Sequence, residues 1–386
     1  MPSGAWLLAG TPMAVKVKAE VPDKSVPNKT PGVKLAEGDH TSQRQEILRG
    51  TKIAHRFTKK MREVFNDFRE MFYLALTIAG VPVNLAAIVI LARGKCGLSP
   101  CTTRYLLWMA ASDFLVIIFE VMLWRLNYYY LPTSFLDLSR VCSAVLVLRH
   151  ASLDCSVWFT VVFTFDRFVA ICCQRLKIKY CTKETAALVL VMTSIPLCFK
   201  NVPFYFSREP RETIGGVPWG CNYKARYFTD PHWVGFDWLD KILTPLLPFH
   251  SVILLNVLTV RHILIASRIR QGLKGQATGE NRRDPEVESR KKSVVLLFTI
   301  SGCFIILWMP SVINFLYYNI TGKAPGDYGY GADVFKHVAY MMRNLSCCTN
   351  TFIYGVTQSK FREELKSSLK YPVSKIIQLI NKLKSN

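Results

Sequence analysis

Several ionisable residues of this chain lie inside long apolar stretches, where each needs a partner or has a task. Asp113 and Glu120 interrupt residues 104–127, and Arg149, His150 and Asp154 interrupt residues 140–172. A carboxylate in lipid costs at least ~2.5–3.5 kcal/mol on insertion scales, so Asp113 requires hydrogen-bond donors or a cation. Ser156, midway along one apolar run, and Asn350, near the end of another, are its candidate partners. Two chemistries fit this trio: a hydrogen-bonded knot with water, or a sodium site with Asp113 as the metal ligand and occupancy favouring one helix arrangement. Asp166-Arg167-Phe168 closes the run at 140–172. An arginine there either pairs with the adjacent aspartate or swings to the backbone carbonyls of an incoming partner, charged in both cases. A bare Asp-Arg dipeptide reads equally as an interfacial ion pair. A buried Arg149 needs an anion, supplied by the protein or by a ligand. Covalent catalysis has no matching pattern: the seven histidines show no H-E-x-x-H spacing, and no phosphate loop or G-x-S-x-G is present. The chain reads as a non-enzyme that needs no cofactor beyond a possible sodium ion.

The elements that must position these groups follow from composition. Half of the 386 residues are apolar and only 20% are charged, with a mean hydropathy of +0.19. Soluble domains carry about a quarter charged residues. Uncharged runs such as Phe72–Ala92 stand beside basic clusters such as Arg290-Lys291-Lys292. This excludes disorder or collagen for the bulk of the chain. A membrane-spanning helix needs about 20 mostly apolar residues. Seven segments qualify, at approximately 71–93, 104–127, 140–172, 185–206, 239–265, 291–319 and 333–356. The expected fold is all-α, a seven-transmembrane helix bundle over residues 71–357. Pro248 and Pro310 would bend their helices.

Charge sets the orientation. The formal net charge is +22, but the Lys and Arg residues fall between the apolar runs and in the tails rather than along a folded polar stripe, which argues against nucleic acid and for membrane lipid. The segments after spans 1, 3 and 5 and the C-terminal tail are the basic set, so these face the cytoplasm and the N-terminus lies outside, at the plasma membrane. Lys59, Lys60, Arg62 and Arg69 oppose that reading and are outvoted by the loops. Residues 1–70 read as a disordered external tail, with Asn28 and Asn319 in glycosylation sequons on the outer side. Residues 358–386 read as an amphipathic helix, too short to cross, with a cytoplasmic tail. Ten of the twelve cysteines sit in or beside apolar runs, as small hydrophobes, and none shows zinc spacing.

Taken in order, the motifs resemble those of class A (rhodopsin-like) G-protein-coupled receptors. They are Gly80-Val-Pro-Val-Asn84, Leu106-Leu-Trp-Met-Ala-Ala-Ser-Asp113, Cys142 followed by Arg167 twenty-five residues on, Leu307-Trp308-Met309-Pro310, Asn350-Thr351-Phe352-Ile353-Tyr354, and Phe361. The Leu-Trp-x-Pro form, Thr351, Thr193-Ser194-Ile195-Pro196 and Asn256 are similar to the group formed by G-protein coupled receptor 139 and its relatives. The resemblance implies a disulfide between Cys142 and Cys221, a sodium-linked site at Asp113, Ser156 and Asn350, and a toggle at Trp308. It also implies an extracellular small-molecule or peptide ligand, and a heterotrimeric G protein, of the Gq type, coupled through Asp166, Arg167, Phe168 and Tyr354, with Arg167 and Tyr354 rearranging to admit it. Arg290 replaces the usual acidic partner of the third-span arginine, which removes that lock. Arg149 stands where amine receptors carry Asp. By family geometry Glu120 is its nearest partner, so Arg149 either braces two spans or receives a ligand carboxylate. His150, Asp154, Phe315, Tyr340, Arg343 and Asn344 would line the same cavity, suited to an aromatic amino acid or small peptide. The alternatives are a seven-span receptor without G-protein coupling, and a small-solute transporter or channel, against which the lack of internal repeats counts.

Overall fold

The computed structural model describes residues 37–131, 133–274, 285–321 and 329–367. Within them the chain forms seven long helices: span 1 (Glu37–Ala92), span 2 (Pro100–Tyr130), span 3 (Ser139–Cys172), span 4 (Lys183–Phe206), span 5 (Pro231–Lys241, continued by Leu247–Lys274), span 6 (Pro285–Thr321) and span 7 (Tyr330–Thr357). Spans 1 to 6 are long and apolar enough to cross a membrane. Span 7 is more amphipathic, because Asp333, Lys336, Arg343, Asn344 and Asn350 share it with its apolar residues.

Local chemistry starts the helices. The Ser99 hydroxyl accepts from the Thr102 amide ahead of Pro100 in the first turn of span 2, and Thr182 caps span 4 in the same way. Asp230 accepts from the His232 amide, with Pro231 opening span 5. These caps satisfy amides that have no partner inside the helix.

Span 3 runs through the middle, against spans 2, 4, 5 and 6, while span 7 packs on spans 1, 2 and 6. In its most apolar window span 3 is 61% buried, against 22% for span 4, so span 3 carries the inward-facing polar groups and span 4 mostly faces outward. Two apolar clusters fill the bundle. One, at the Arg167 end, contains Tyr105, Met109, Phe163, Leu190, Tyr354 and Phe361. The other contains Tyr73, Ile117, Val157, Phe304, Trp308 and Met341. Gly80 lets span 1 approach spans 7 and 2: a Cβ there would lie 2.7 Å from Cys348 Sγ and 3.1 Å from Ile117 Cδ1.

Two features differ from the sequence reading. Span 1 begins at Glu37, so residues 37–70 are helical rather than a structureless tail. Its exposed Ile53, Phe57, Met61, Val64 and Phe68 recur three or four residues apart, a helical stripe that a Pro-, Lys- and Glu-rich average conceals. The break in span 5 falls at Thr244 (φ −152°, ψ 106°) before Pro245. Pro248 is the second residue of the helix Leu247–Lys274, in a first turn where its missing N–H costs nothing. Pro310 lies within span 6, as expected.

Candidate functional site

Three polar constellations sit inside the bundle. In the first, Ser156 Oγ donates to Asp113 Oδ1 at 2.5 Å and Asn350 Nδ2 donates to Asp113 Oδ2 at 2.8 Å. Beside it, Asn84 Nδ2 donates to the Gly80 and Cys347 carbonyls, both at 3.0 Å, and Thr351 donates to Asn84 Oδ1 at 3.3 Å. Spans 1, 2, 3 and 7 are thereby tied at one level. Asp113 is buried, and among the described residues no ion pair neutralises it.

The second constellation centres on Glu120, also buried. Residues 117–126 of span 2 form a π-helix, whose wider turn brings residues five apart onto one side. Arg125 Nε and Nη2 therefore reach Glu120 Oε1 at 3.0 and 2.9 Å. Arg343 Nη2 of span 7 lies 3.5 Å from the same oxygen, and Arg149 Nε of span 3 lies 3.1 Å from Oε2. Three guanidinium groups share one carboxylate, an excess of two positive charges. Aromatic faces take up part of it. Arg149 lies 4.5 Å from the Trp124 ring centre, and Arg343 lies 5.0 Å from Tyr340 and 6.0 Å from Trp308. His150 Nε2 accepts from Arg149 Nη2 at 3.1 Å, and its ring stacks on Phe204 with ring centres 4.1 Å apart. Asn344 is fully buried, and neither of its amide atoms, nor Arg343 Nε, has a hydrogen-bond partner among the described residues.

Asp154 belongs elsewhere. Its carboxylate takes Lys200 Nζ and Asn201 Nδ2, both at 2.7 Å, and Lys200 also pairs with Asp240 at 2.7 Å. This third constellation ties spans 3, 4 and 5 and draws Asp154 away from the arginine cluster. Phe315 packs edge-on against Trp238 at 6.0 Å. Trp308 stacks on Phe304 and donates to Ser346 at 3.3 Å.

Above the arginine cluster, Cys142 and Cys221 form a disulfide, with Cα atoms 6.1 Å apart. Beside it lie two small two-stranded antiparallel sheets: β1 (Arg208–Glu209) pairs with β4 (Asn222–Tyr223), and β2 (Glu212–Ile214) with β3 (Val217–Trp219). Arg208 leaves β1 to lie 3.4 Å from the Tyr223 ring centre. It is buried, and its Nε and Nη2 have no partner among the described residues. Burial pulls its guanidinium below the usual arginine value.

At the opposite end Arg167 Nε donates to Asp166 Oδ2 at 2.9 Å, and its Nη2 pairs with the same oxygen. Nη1 reaches Ser293 of span 6 at 3.3 Å. Phe168 is half-buried. Tyr354 is buried edge-on against Phe361 at 5.9 Å, its hydroxyl without a partner among the described residues. The side chains of Arg290 and Asn319 and all of Asn28 lie outside the described residues.

Sequence reasoning missed Arg125, Lys200, Asn201, Arg208, Asp240 and Ser293. Arg125 and Lys200 carried a usable signal, a charge inside an apolar run. Arg208 did not, since nothing in its neighbours marks it as buried.

Residues 83–354 match the family of seven-transmembrane receptors of the rhodopsin type, and the chain belongs to that family: a multi-pass membrane receptor, not an enzyme. It is 21% identical over 316 residues to C-C chemokine receptor type 3 of Cavia porcellus, an alignment covering 81% of each chain. It is 25% identical over 309 residues to Neuropeptide receptor 22 of Caenorhabditis elegans, covering 76% of this chain and 67% of the relative.

Proposed function

We propose that the chain is a plasma-membrane receptor, N-terminus outside, that binds an extracellular ligand through an anionic group between Arg149, Arg208 and Arg343. In this reading ligand binding promotes engagement of a heterotrimeric G protein at the Arg167 end. The observation that carries the ligand class is the charge imbalance. Three arginines converge on the single carboxylate of Glu120, and a fourth, Arg208, is buried without an acidic partner among the described residues. Buried cations of this kind gain most from an incoming carboxylate, and the same charges repel cationic amines. Trp124, Trp308 and Tyr340 line the neighbourhood with aromatic faces, which favours an aromatic amino acid or a short peptide with a free carboxylate. Asn344, with its unpaired amide, suits a ligand donor or acceptor.

A ligand that prefers one packing of the bundle shifts its population. Trp308, between the arginine cluster and the Asp113 level, is the proposed toggle. Arg167 and Tyr354 would part from their present neighbours to admit the G protein, of the Gq type by the finer resemblance. Asp113, Ser156 and Asn350 would hold a sodium ion: each has a hard oxygen, Asn350 by turning its amide so that Oδ1 replaces the Nδ2 now facing Asp113, and Asp113 has no counter-charge among the described residues. When bound, that ion would supply the missing positive charge.

Calcium release in transfected cells, against matched pairs of aromatic amino acids and their carboxamides, tests the reading. Responses to the acids and none to the amides are expected. Equal responses to both would overturn the carboxylate role. Nucleotide exchange on purified G protein tests coupling directly.

A further inference from the structure

Two thiols outside the constellations above bracket Asp166. Cys101, in the first turn of span 2, is buried, with Sγ 3.1 Å from Asp166 Oδ1. Cys181 follows the short helix Gln174–Tyr180 between spans 3 and 4. It is half-buried, with Sγ 3.9 Å from the Asp166 carbonyl oxygen. Both sulfurs therefore lie against the same residue, one at its carboxylate and the other at its carbonyl oxygen. Segments 80 residues apart in the chain thus place two thiols on one residue, the aspartate that pairs with Arg167.

Their chemistry is unequal. Its neighbours Cys101 and Arg167 draw the Cys181 thiol below the ordinary cysteine range, against burial and the Asp166 charge, which push it up. The thiolate is the reactive form, and Cys181 is the more accessible of the two. Cys101 is buried on the other side of the same aspartate, placed to act as the resolving thiol.

We propose that Cys101 and Cys181 are a reversible, peroxide-oxidised dithiol pair that ties the start of span 2 to the loop between spans 3 and 4. The Cys181 thiolate attacks a peroxide oxygen, the O–O bond breaks and hydroxide leaves, giving a sulfenic acid. Cys101 sulfur then attacks the Cys181 sulfur, displacing the hydroxyl as water as the Cys101 proton is lost. Overall two thiols give up two electrons and two protons, and one hydrogen peroxide becomes two waters. A cellular dithiol reductant reverses the step by thiol–disulfide exchange. Cytosolic disulfides of this kind are usually transient and redox-sensing. The bond takes the Cys101 S–H away from Asp166 and restrains the loop beside Arg167, so G-protein engagement falls in the oxidised form. The cytosolic setting and the signalling consequence rest on the orientation and coupling proposed above, whereas the placement of both thiols on Asp166 does not.

Full-length receptor in nanodiscs is treated with hydrogen peroxide, alkylated under denaturing conditions and mapped without reduction. A Cys101–Cys181 linked peptide that disappears with dithiothreitol is expected, and Cys181→Ser should leave Cys101 alkylatable. If both thiols remain alkylatable, or pair instead with other cysteines, the proposal fails. Nucleotide exchange should fall on oxidation of the wild type and not in Cys181→Ser, and an equal fall in both would overturn the regulatory part. Absence of exchange in the reduced wild type would instead sink the coupling reading, leaving the peptide map to decide the thiol pair.

Discussion

Arg149 and Glu120 meet at 3.1 Å across spans 3 and 2, and Glu120 is simultaneously held by Arg125 and Arg343. The pairing is therefore lopsided, and its two members should respond differently to removal. Arg149→Ala leaves Glu120 with two guanidinium partners. Surface expression is expected to stay near wild type while response to acidic ligands is lost. Unchanged potency in that mutant would refute the carboxylate role.

Glu120→Gln is the converse. It leaves three buried guanidinium groups without their shared anion, and orphaning one buried charge typically costs about 3–5 kcal/mol. A clear drop in the thermal midpoint of purified receptor is expected, larger than for Arg149→Ala. A smaller drop would mean that water or lipid headgroups already neutralise the arginines.

What could be read from the sequence was decided by how local each signal is. Six of the spans were legible because some twenty mostly apolar residues in a row are a property of the chain itself, while span 7 is more polar and less apparent from hydropathy. Asp113, Ser156 and Asn350 stood out as polar residues within such runs, and the structure brings them together. Asp154 stood out in the same way, yet it faces Lys200 and Asn201 rather than the arginines. Helix rotation decides which neighbour a residue meets, and one strand of sequence does not contain it. The π-helical stretch that joins Glu120 to Arg125 was invisible for a related reason. A pattern read at 3.6 residues per turn places residues five apart on different faces.

Lys200 bridges Asp154 and Asp240 at 2.7 Å each. Lys200→Met would set two buried carboxylates facing each other with no cation between them. Destabilisation of about 3–5 kcal/mol is expected, read as a lower thermal midpoint. Asp240→Asn keeps the Lys200–Asp154 pair and should cost much less. Equal losses in the two variants would show that the triad does not act as a unit.

Asp113→Asn removes the charge at the middle of the bundle while preserving its shape and an acceptor for Ser156. If sodium binds there, wild-type receptor should gain thermal stability when choline chloride is exchanged for sodium chloride at constant ionic strength. The gain follows from ligand binding to the folded state alone, and the variant should lose it. A sodium-dependent gain that survives in Asp113→Asn would move the ion elsewhere.

The close approach of span 1 to spans 7 and 2 at Gly80 offers a test of packing that involves no charge. A methyl group at position 80 would meet Cys348 Sγ at 2.7 Å and Ile117 at 3.1 Å, so span 1 must shift outward or the neighbours must repack. Over-packing of this kind costs about 1–3 kcal/mol. The same shift would strain the bonds from Asn84 to the Gly80 and Cys347 carbonyls, one turn away and next to the Asp113 level. Gly80→Ala is therefore expected to lower both the thermal midpoint and any sodium-dependent stabilisation. Pairing it with Cys348→Ala, which clears the nearest contact, should restore most of the midpoint. If the double variant is no more stable than Gly80→Ala alone, the Cys348 sulfur is not what limits the approach of spans 1 and 7.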